Sequence, residues 1–356
     1  MKTGVGDEGA GMDSVPNDRH TPAEQRIGKP TVQYRPGARL AGPSMESQLL
    51  YQACRWFLRP VVRMAPINES AIRRAALLDL AAGMRPASGI RRQKVRLPGF
   101  DAEVVRAPGV SPDLSEGVVL YLHGGGFLCC GLNTHRPVVA TIAKLTGLPV
   151  MHVGYRQLPD TNISGSVDDC LTAYKWLLEN GARAGGTVFA GDSAGGFLVF
   201  ATALKAREEG VDLPAGLIGL SPLLDLDCAE KSVHVNAAKD VFAPIEALVT
   251  IGKLGAEVDG VLDPALSPVN GNLVGMPPSL LIAAEGEVLR SDSELMAHRL
   301  SAAGVATTLQ IWDGQVHAFP ALWPGLPESR AVLRRIARFV AVRVRRDDGM
   351  VQGATA

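Results

Sequence analysis

Short apolar segments alternate with longer amphipathic segments from residue 91 onward, and this alternation constrains the fold more than any other feature. The short segments have the composition of strands, and the longer ones repeat apolar residues at helical spacing. Eight strands are predicted, at residues 94–97, 103–107, 118–122, 150–153, 187–190, 217–220, 280–284 and 308–312. Helices between the later strands favour a mostly parallel sheet covered on both faces, so the sequence predicts an α/β protein.

The helical segments divide the chain into regions. Between and after the later strands, helices are predicted at residues 134–146, 166–179, 194–209, 291–303 and 327–345. Two amphipathic helices, 48–62 and 71–82, precede the first strand, and a helix near 244–254 lies in a segment that interrupts the alternation. The expected regions are an unstructured leader at 1–45, a helical cap at 46–90 joined by part of 225–263, a main domain at 91–346, and a tail at 347–356.

Composition excludes several classes of protein. Lys and Arg total 36 and Asp and Glu total 36, so no net charge favours binding to nucleic acid. Five scattered cysteines without zinc-ligand spacing disfavour a disulfide framework and a structural zinc. The first residues contain no apolar signal-peptide region, and the longest uncharged stretches are broken by Gly or Pro. A cytoplasmic location without stable membrane insertion is therefore expected, and a homodimer is left open.

The sequence Gly-Asp-Ser-Ala-Gly at residues 191–195 lies between a predicted strand and a predicted helix. In that context G-x-S-x-G is typical of a nucleophile elbow, in which the serine occupies a strained turn. Glycines on either side let the backbones of strand and helix approach closely. Ser193 is therefore predicted to be a nucleophile, with an ordinary serine at a helix start as the alternative.

A second glycine motif, His-Gly-Gly-Gly at residues 123–126, follows the strand at 118–122 directly. Backbone N–H groups of such a run can point at an oxyanion, and the N-terminus of the helix after Ser193 can add another. The predicted donors of this oxyanion hole are the N–H groups of Gly124, Gly125, Gly126 and Ala194. His123 is expected to anchor the loop and not to carry a proton.

A serine nucleophile needs a general base, and three histidines follow Ser193 in the chain. His234 lies in the predicted insertion and His298 within a predicted helix. His317 follows the last strand, at the carboxyl end of the sheet where such sites form. His317 is therefore the predicted base.

Three carboxylates after the strand at 280–284 compete to orient this histidine. Asp292 has a structural explanation, because it would lie in the first turn of a helix capped by Ser291. Glu285 follows the strand immediately and is expected to be held in the sheet. Glu287 lies on the loop and has the reach to turn toward His317.

These motifs, with the His-Ala-Phe ending at 317–319, resemble the bacterial hormone-sensitive-lipase-like (family IV) esterases, α/β-hydrolases with an N-terminal helical cap. The similarity runs from about residue 46 to residue 345. Residues 155–160 match the family's Tyr-Arg-Leu-Ala-Pro-Glu segment loosely, with Thr161 and Asn162 in place of the usual His-Pro. The family's Asp-Pro-Leu-Arg-Asp segment aligns its first Asp with Glu287, so the acid departs from the usual residue.

The resemblance implies a serine carboxylesterase with an α/β-hydrolase fold that acts on small esters with short to medium acyl chains, without cofactor or metal. It implies that Ser193 attacks the ester, His317 transfers the proton, and Glu287 orients the imidazole. The early helices and the insertion would form a lid over the pocket.

Other functions share these motifs. An amidase or an acyltransferase would use the same nucleophile, because only the leaving group or the acceptor differs. Plant gibberellin receptors resemble this family but lack the catalytic histidine, so His317 argues against a pure binding protein.

The basic amphipathic segment at 327–345 is expected to pack on the sheet, with a lipid surface as the alternative. Adjacent Cys129 and Cys130 are interpreted as packing residues.

Overall fold

A computed structural model describes residues 31–35, 42–64, 67–75, 77–83 and 89–344. Its strands are β1 Thr31–Arg35, β2 Arg91–Leu97, β3 Phe100–Arg106, β4 Val118–Leu122, β5 Val150–Gly154, β6 Thr187–Asp192, β7 Gly216–Leu220, β8 Glu257–Val258, β9 Val261–Leu262, β10 Ser279–Ala284 and β11 Thr307–Trp312. Nine of them form one sheet in the order β1-β11-β10-β7-β6-β4-β5-β3-β2, while β8 and β9 form a separate hairpin. All pairings in the large sheet are parallel except those of β3 with β5 and β2.

Helices follow most of the central strands, as the alternation predicts. They are α1 Met45–Ala53, α2 Arg59–Met64, α3 Glu69–Ala75, α4 Leu77–Ala82, α5 Arg136–Thr146, α6 Ile163–Glu179, α7 Ala194–Glu208, α8 Ala229–Val233, α9 Ile245–Ala256, α10 Arg290–Ala302, α11 Phe319–Leu322 and α12 Pro327–Val344. A π-helical turn, Cys54–Leu58, joins α1 to α2. The predicted α/β class and all eight predicted strands are confirmed.

The ninth strand, β1, lies within the stretch that was expected to be unstructured. It pairs in parallel with β11, with Thr31 opposite Thr308. A short edge strand is hard to predict from the sequence, because it forms only by pairing with the free edge of a strand that lies far away in the chain, here β11. The expectation for 1–45 is therefore wrong at β1, and residues 1–30 and 36–41, like the tail at 347–356, lie outside the described residues.

Both faces of the sheet are buried. On β4, Val118 and Leu120 belong to one apolar cluster, while Val119 and Tyr121 belong to the other. This alternation places α6, α7 and α10 on one side and α5 and α12 on the opposite side. The basic helix α12 buries its apolar stripe in the second cluster, as expected. Among the described helices, none is both long and apolar enough to cross a membrane.

The N-terminal helices contact the insertion between β7 and β10, residues 225–263. The guanidinium of Arg59 on α2 donates to the carbonyl of Ala238 at 2.7 Å. On α4, the carboxylate of Asp79 accepts the backbone N–H groups of Asn133 (3.0 Å) and Thr134 (2.8 Å). These bonds connect both helical segments to the loops at the carboxyl edge of the sheet.

Candidate active site

Ser193 sits at a sharp turn between β6 and α7, with φ of 53° and ψ of −120°. A non-glycine residue with positive φ is strained and is held by its surroundings. The Ser193 N–H donates to the carbonyl of Leu220 at 2.9 Å. A Cβ on Gly195 would lie 2.0 Å from the carbonyl oxygen of Leu122, so only glycine fits there. The predicted strand–turn–helix geometry is present.

His317 and Glu287 form a buried pair. The imidazole Nδ1 lies 2.7 Å from Oε2 of Glu287, and both side chains are at most 3% exposed. The other carboxylate oxygen of Glu287 accepts the N–H of Ala284 at 2.8 Å. Burial lowers the pKa of His317, but the hydrogen bond and the negative charge of Glu287 outweigh it, so that pKa is raised.

Backbone contacts bring this pair and Ser193 to the same strand end. Ser193 bonds to Leu220, the last residue of β7, and Ser221 follows directly. The N–H of Ala318, next to His317, donates to the Ser221 hydroxyl at 2.9 Å. The serine and the histidine are thus both fixed on two consecutive residues, 220 and 221, at the carboxyl edge of the sheet.

Of the three competing carboxylates, the structure places only Glu287 on His317. Glu285 is exposed, and its N–H donates to the carbonyl of Trp312 at 2.9 Å, which extends the strand pairing as expected.

Helix α10 begins at Arg290 without a side-chain cap. The predicted capping role of Ser291 is therefore wrong.

Asp292 is buried in an ion pair and is not simply a charge near a helix N-terminus. Its carboxylate lies 3.0 Å from the Nζ of Lys231. It also accepts the N–H groups of Leu224 (2.8 Å) and Asp225 (3.0 Å). Both side chains of the ion pair are at most 3% exposed, so the carboxylate ties α10 to the insertion. No local pattern indicated this pair, because Lys231 lies 61 residues away.

The insertion also holds the loop that carries Glu287, a role that the sequence did not reveal. The Asn236 amide donates to the carbonyls of Glu285 at 2.7 Å and Glu287 at 2.9 Å. The buried carboxylate of Asp240 accepts the N–H of Val288 at 2.8 Å. Burial raises the pKa of Asp240. Two polar side chains of the insertion therefore fix the backbone on both sides of the acid.

Three of the four predicted oxyanion donors, Gly124, Gly125 and Gly126, lie in the glycine loop, and the fourth, Ala194, begins α7. Gly125 and Gly126 have φ of 119° and 64°, and a Cβ on Gly125 would lie 2.0 Å from the carbonyl oxygen of Cys129. Within the described chain, no acceptor bonds the N–H of Gly125, Gly126 or Ala194. The N–H of Gly124 instead donates to Asp192 at 3.2 Å, so Gly124 does not fit the predicted role.

Asp192, the second residue of the serine motif, organises the base of this loop. Its Oδ1 accepts the Tyr121 hydroxyl at 2.8 Å and the Gly124 N–H, and its Oδ2 lies 3.2 Å from Nε2 of His135. Burial would raise the pKa of Asp192, but His135 and Tyr121 outweigh burial and lower it. In the sequence, these contacts could have been inferred only from the position of Asp192, which ends the strand that pairs with the strand carrying Tyr121.

His123 anchors the loop, as predicted. Its ring stacks on Tyr155 with centroids 4.4 Å apart, and the Tyr155 hydroxyl donates to the carbonyl of His123 at 2.7 Å. Burial and two neighbouring histidines lower its pKa to about 3. The ring is therefore neutral near pH 7 and is not a proton carrier for the site.

Known proteins are similar to this chain in sequence. Residues 119–321 match the family model for the α/β hydrolase fold. Esterase LipU of Mycobacterium tuberculosis is 38% identical over 291 residues, which cover 80% of this chain and 98% of LipU. Carboxylesterase/phospholipase LipF of the same organism is 35% identical over 308 residues, or 84% of this chain and 82% of LipF.

A solved structure gives the same assignment. The crystal structure of an esterase from the bacterial hormone-sensitive lipase family superposes with a TM-score of 0.76 at 31% identity, covering 85% of this chain and 99% of that one. The fold, the site geometry and the relatives agree. The chain therefore belongs to the hormone-sensitive-lipase-like esterases of the α/β-hydrolase family and is a carboxylic ester hydrolase.

Proposed function

We propose that the chain is a serine carboxylesterase that hydrolyses short- to medium-chain acyl esters through an acyl-enzyme. The observation that carries this proposal is the buried 2.7 Å contact of His317 with Glu287, at the strand end that also fixes the strained Ser193. A hydroxyl is almost un-ionised at neutral pH, so its attack requires a base that is held in one tautomer.

In the first half of the reaction, Ser193 Oγ attacks the ester carbonyl carbon while the free Nε2 of His317 takes the hydroxyl proton. The carboxylate of Glu287 accepts a hydrogen bond from Nδ1–H of His317 and stabilises the positive charge that forms on the ring. The tetrahedral intermediate collapses when the carbon–oxygen bond to the alcohol breaks, and His317 returns the proton to the departing alcohol. A water molecule then attacks the carbonyl carbon of the acyl-enzyme while His317 takes its proton. The bond to Ser193 breaks, His317 returns the proton to Ser193 Oγ, and the carboxylic acid is released.

The negative charge on the carbonyl oxygen would be stabilised by the N–H groups of Gly125, Gly126 and Ala194. These donors are held by the backbone before the substrate binds, so they need no reorganisation during the reaction. Asp192 supports this arrangement, because it holds the first glycine of the loop in place.

The preference for shorter acyl chains follows from the helices above the site. A Cβ on Gly126 would lie 3.0 Å from Cδ1 of Ile251, so helix α9 of the insertion packs directly against the oxyanion loop. Arg59 on α2 bonds the same insertion. We therefore assign the N-terminal helices and the segment 225–263 to a lid that limits the length of the acyl group.

A panel of p-nitrophenyl esters of increasing acyl length, with the p-nitroanilide of one acyl group, tests the proposal. We expect kcat/KM to peak at short or medium chains and the anilide to be a far poorer substrate. A maximum with emulsified long-chain glycerides or with phospholipid would overturn the acyl preference. A rate on the anilide equal to that on its ester would make the enzyme an amidase.

A further inference from the structure

Two adjacent cysteines lie beside the oxyanion loop and take no part in the proposed mechanism. Cys129 and Cys130 are free thiols, and their Sγ atoms are 3.8 Å apart. Both residues are partly exposed, whereas the three other cysteines are buried. The interpretation of this pair as packing residues therefore does not account for its exposure.

The pair is coupled to Gly125, a proposed oxyanion donor. The carbonyl of Gly125 accepts the backbone N–H of Cys129 at 3.2 Å and its thiol at 3.4 Å. An added Cβ on Gly125 would lie 3.1 Å from Cβ of Cys130. Cys130 itself has a φ of 70°, a left-handed conformation that is unusual for a residue with a side chain. A group bound across both sulfurs would therefore press on the loop.

We propose that Cys129 and Cys130 form a dithiol site for a soft, thiophilic ligand of the trivalent arsenical class, and that such a ligand stops ester hydrolysis by displacing Gly125. The second part rests on the proposed function, and the first does not. The bound species is a cyclic dithiolate in which one arsenic atom bridges the two sulfurs.

The number and spacing of the thiols favour this ligand. Zinc usually takes four protein ligands at structural sites and three at catalytic sites. In the described parts of the chain, no group of three or more His, Cys, Asp or Glu residues could hold a metal. A disulfide would require the sulfurs to close from 3.8 Å to about 2.05 Å. A bridging atom requires only two sulfurs and a smaller movement.

The chemistry balances without an oxidant. The hydrate of phenylarsine oxide carries two hydroxyl groups on arsenic(III). Two As–S bonds form and two As–O bonds break, and each thiol proton leaves with a hydroxyl group as water, so arsenic keeps its oxidation state. The contact between the two thiols lowers the pKa of Cys129 and raises that of Cys130, so Cys129 attacks arsenic first and Cys130 closes the ring.

Phenylarsine oxide tests the site by intact mass and by rate on a short-chain p-nitrophenyl ester. Wild type should gain one phenylarsenic group and lose about 100-fold or more in rate, the loss expected when an oxyanion donor is removed. The dithiol 2,3-dimercaptopropanol should reverse both effects, and a monothiol should not. Each treated variant is compared with its own untreated rate.

Cys129→Ser, Cys130→Ser and the double variant should lose the stable adduct and the sensitivity, while Cys54→Ser, a matched control at a buried cysteine, should keep both. Uptake by the double variant equal to that of wild type would overturn the dithiol site. An adduct with an unchanged rate would overturn its coupling to Gly125. The phenylarsenic adduct of Ser193→Ala is measured in parallel. The dithiol site is thereby tested even if the proposed esterase mechanism fails.

Discussion

Removing the charge of Asp292 should destabilise the protein strongly, although this residue is not one of the proposed catalytic residues Ser193, His317 and Glu287. Its carboxylate is 2% exposed and is paired with Lys231, which is 3% exposed. In Asp292→Asn the ammonium of Lys231 stays buried and keeps the carbonyl of Asp225, at 2.7 Å, but loses its anionic partner. Breaking a buried ion pair by removing one partner costs about 3 to 5 kcal/mol. The charge of a first-turn residue on an exposed helix would be worth only about 0.3 to 1 kcal/mol.

Urea unfolding followed by circular dichroism measures this difference as a shift of the midpoint at constant slope. Ser291→Ala is the neighbouring control, because the Ser291 hydroxyl bonds within its own turn, to the carbonyl of Val288 at 2.9 Å and at the long distance of 3.5 Å to Asp292, and carries no charge. Adding Lys231→Met to Asp292→Asn should recover much of the lost stability, since no unpaired charge remains. A loss below about 1 kcal/mol for Asp292→Asn would refute the buried-pair explanation.

Three further changes address the site itself. Glu287→Gln should lower kcat by about 10⁴-fold, as in the triad of a serine protease, with its urea midpoint as the folding control; near-wild-type turnover would exclude Glu287 as the acid. The base acts in its neutral form, so kcat/KM should fall as the pH drops through the raised pKa of His317, and Glu287→Gln should move that inflection to lower pH; an unmoved inflection would contradict the origin of the shift. Asp192→Asn should lower kcat more than it raises KM, because Gly124 loses its charged acceptor, and a rise in KM alone would argue against this.

The parts of the fold that could be predicted depend on local pattern. Strand composition and helical spacing are properties of short segments, so the eight predicted strands and the helices between them appear close to their expected bounds. The turn at Ser193 could also be predicted, because its steric demands are met by glycines beside it. The contact between His317 and Glu287 could be predicted because each residue follows a strand end at the same edge of the sheet.

The supporting contacts could not be predicted, because they join residues far apart in the chain. Asp240 reaches the loop of Glu287 across 48 residues, and His135 reaches Asp192 across 57. Lys231 appeared to be one of several charges in an irregular segment, and nothing nearby indicated its burial. Gly124 was misassigned for the same reason, since its N–H is taken by a carboxylate 68 residues away.

Covalent labelling measures most directly whether Ser193 forms the acyl-enzyme. A fluorophosphonate should inactivate the protein with one equivalent bound, and the added mass should lie on the peptide that carries Ser193. Ser193→Ala should take up no label, keep the wild-type urea midpoint and lose at least about 10³-fold in turnover of a short-chain ester. Label on another residue, or a Ser193→Ala variant that retains its rate, would contradict the proposed mechanism.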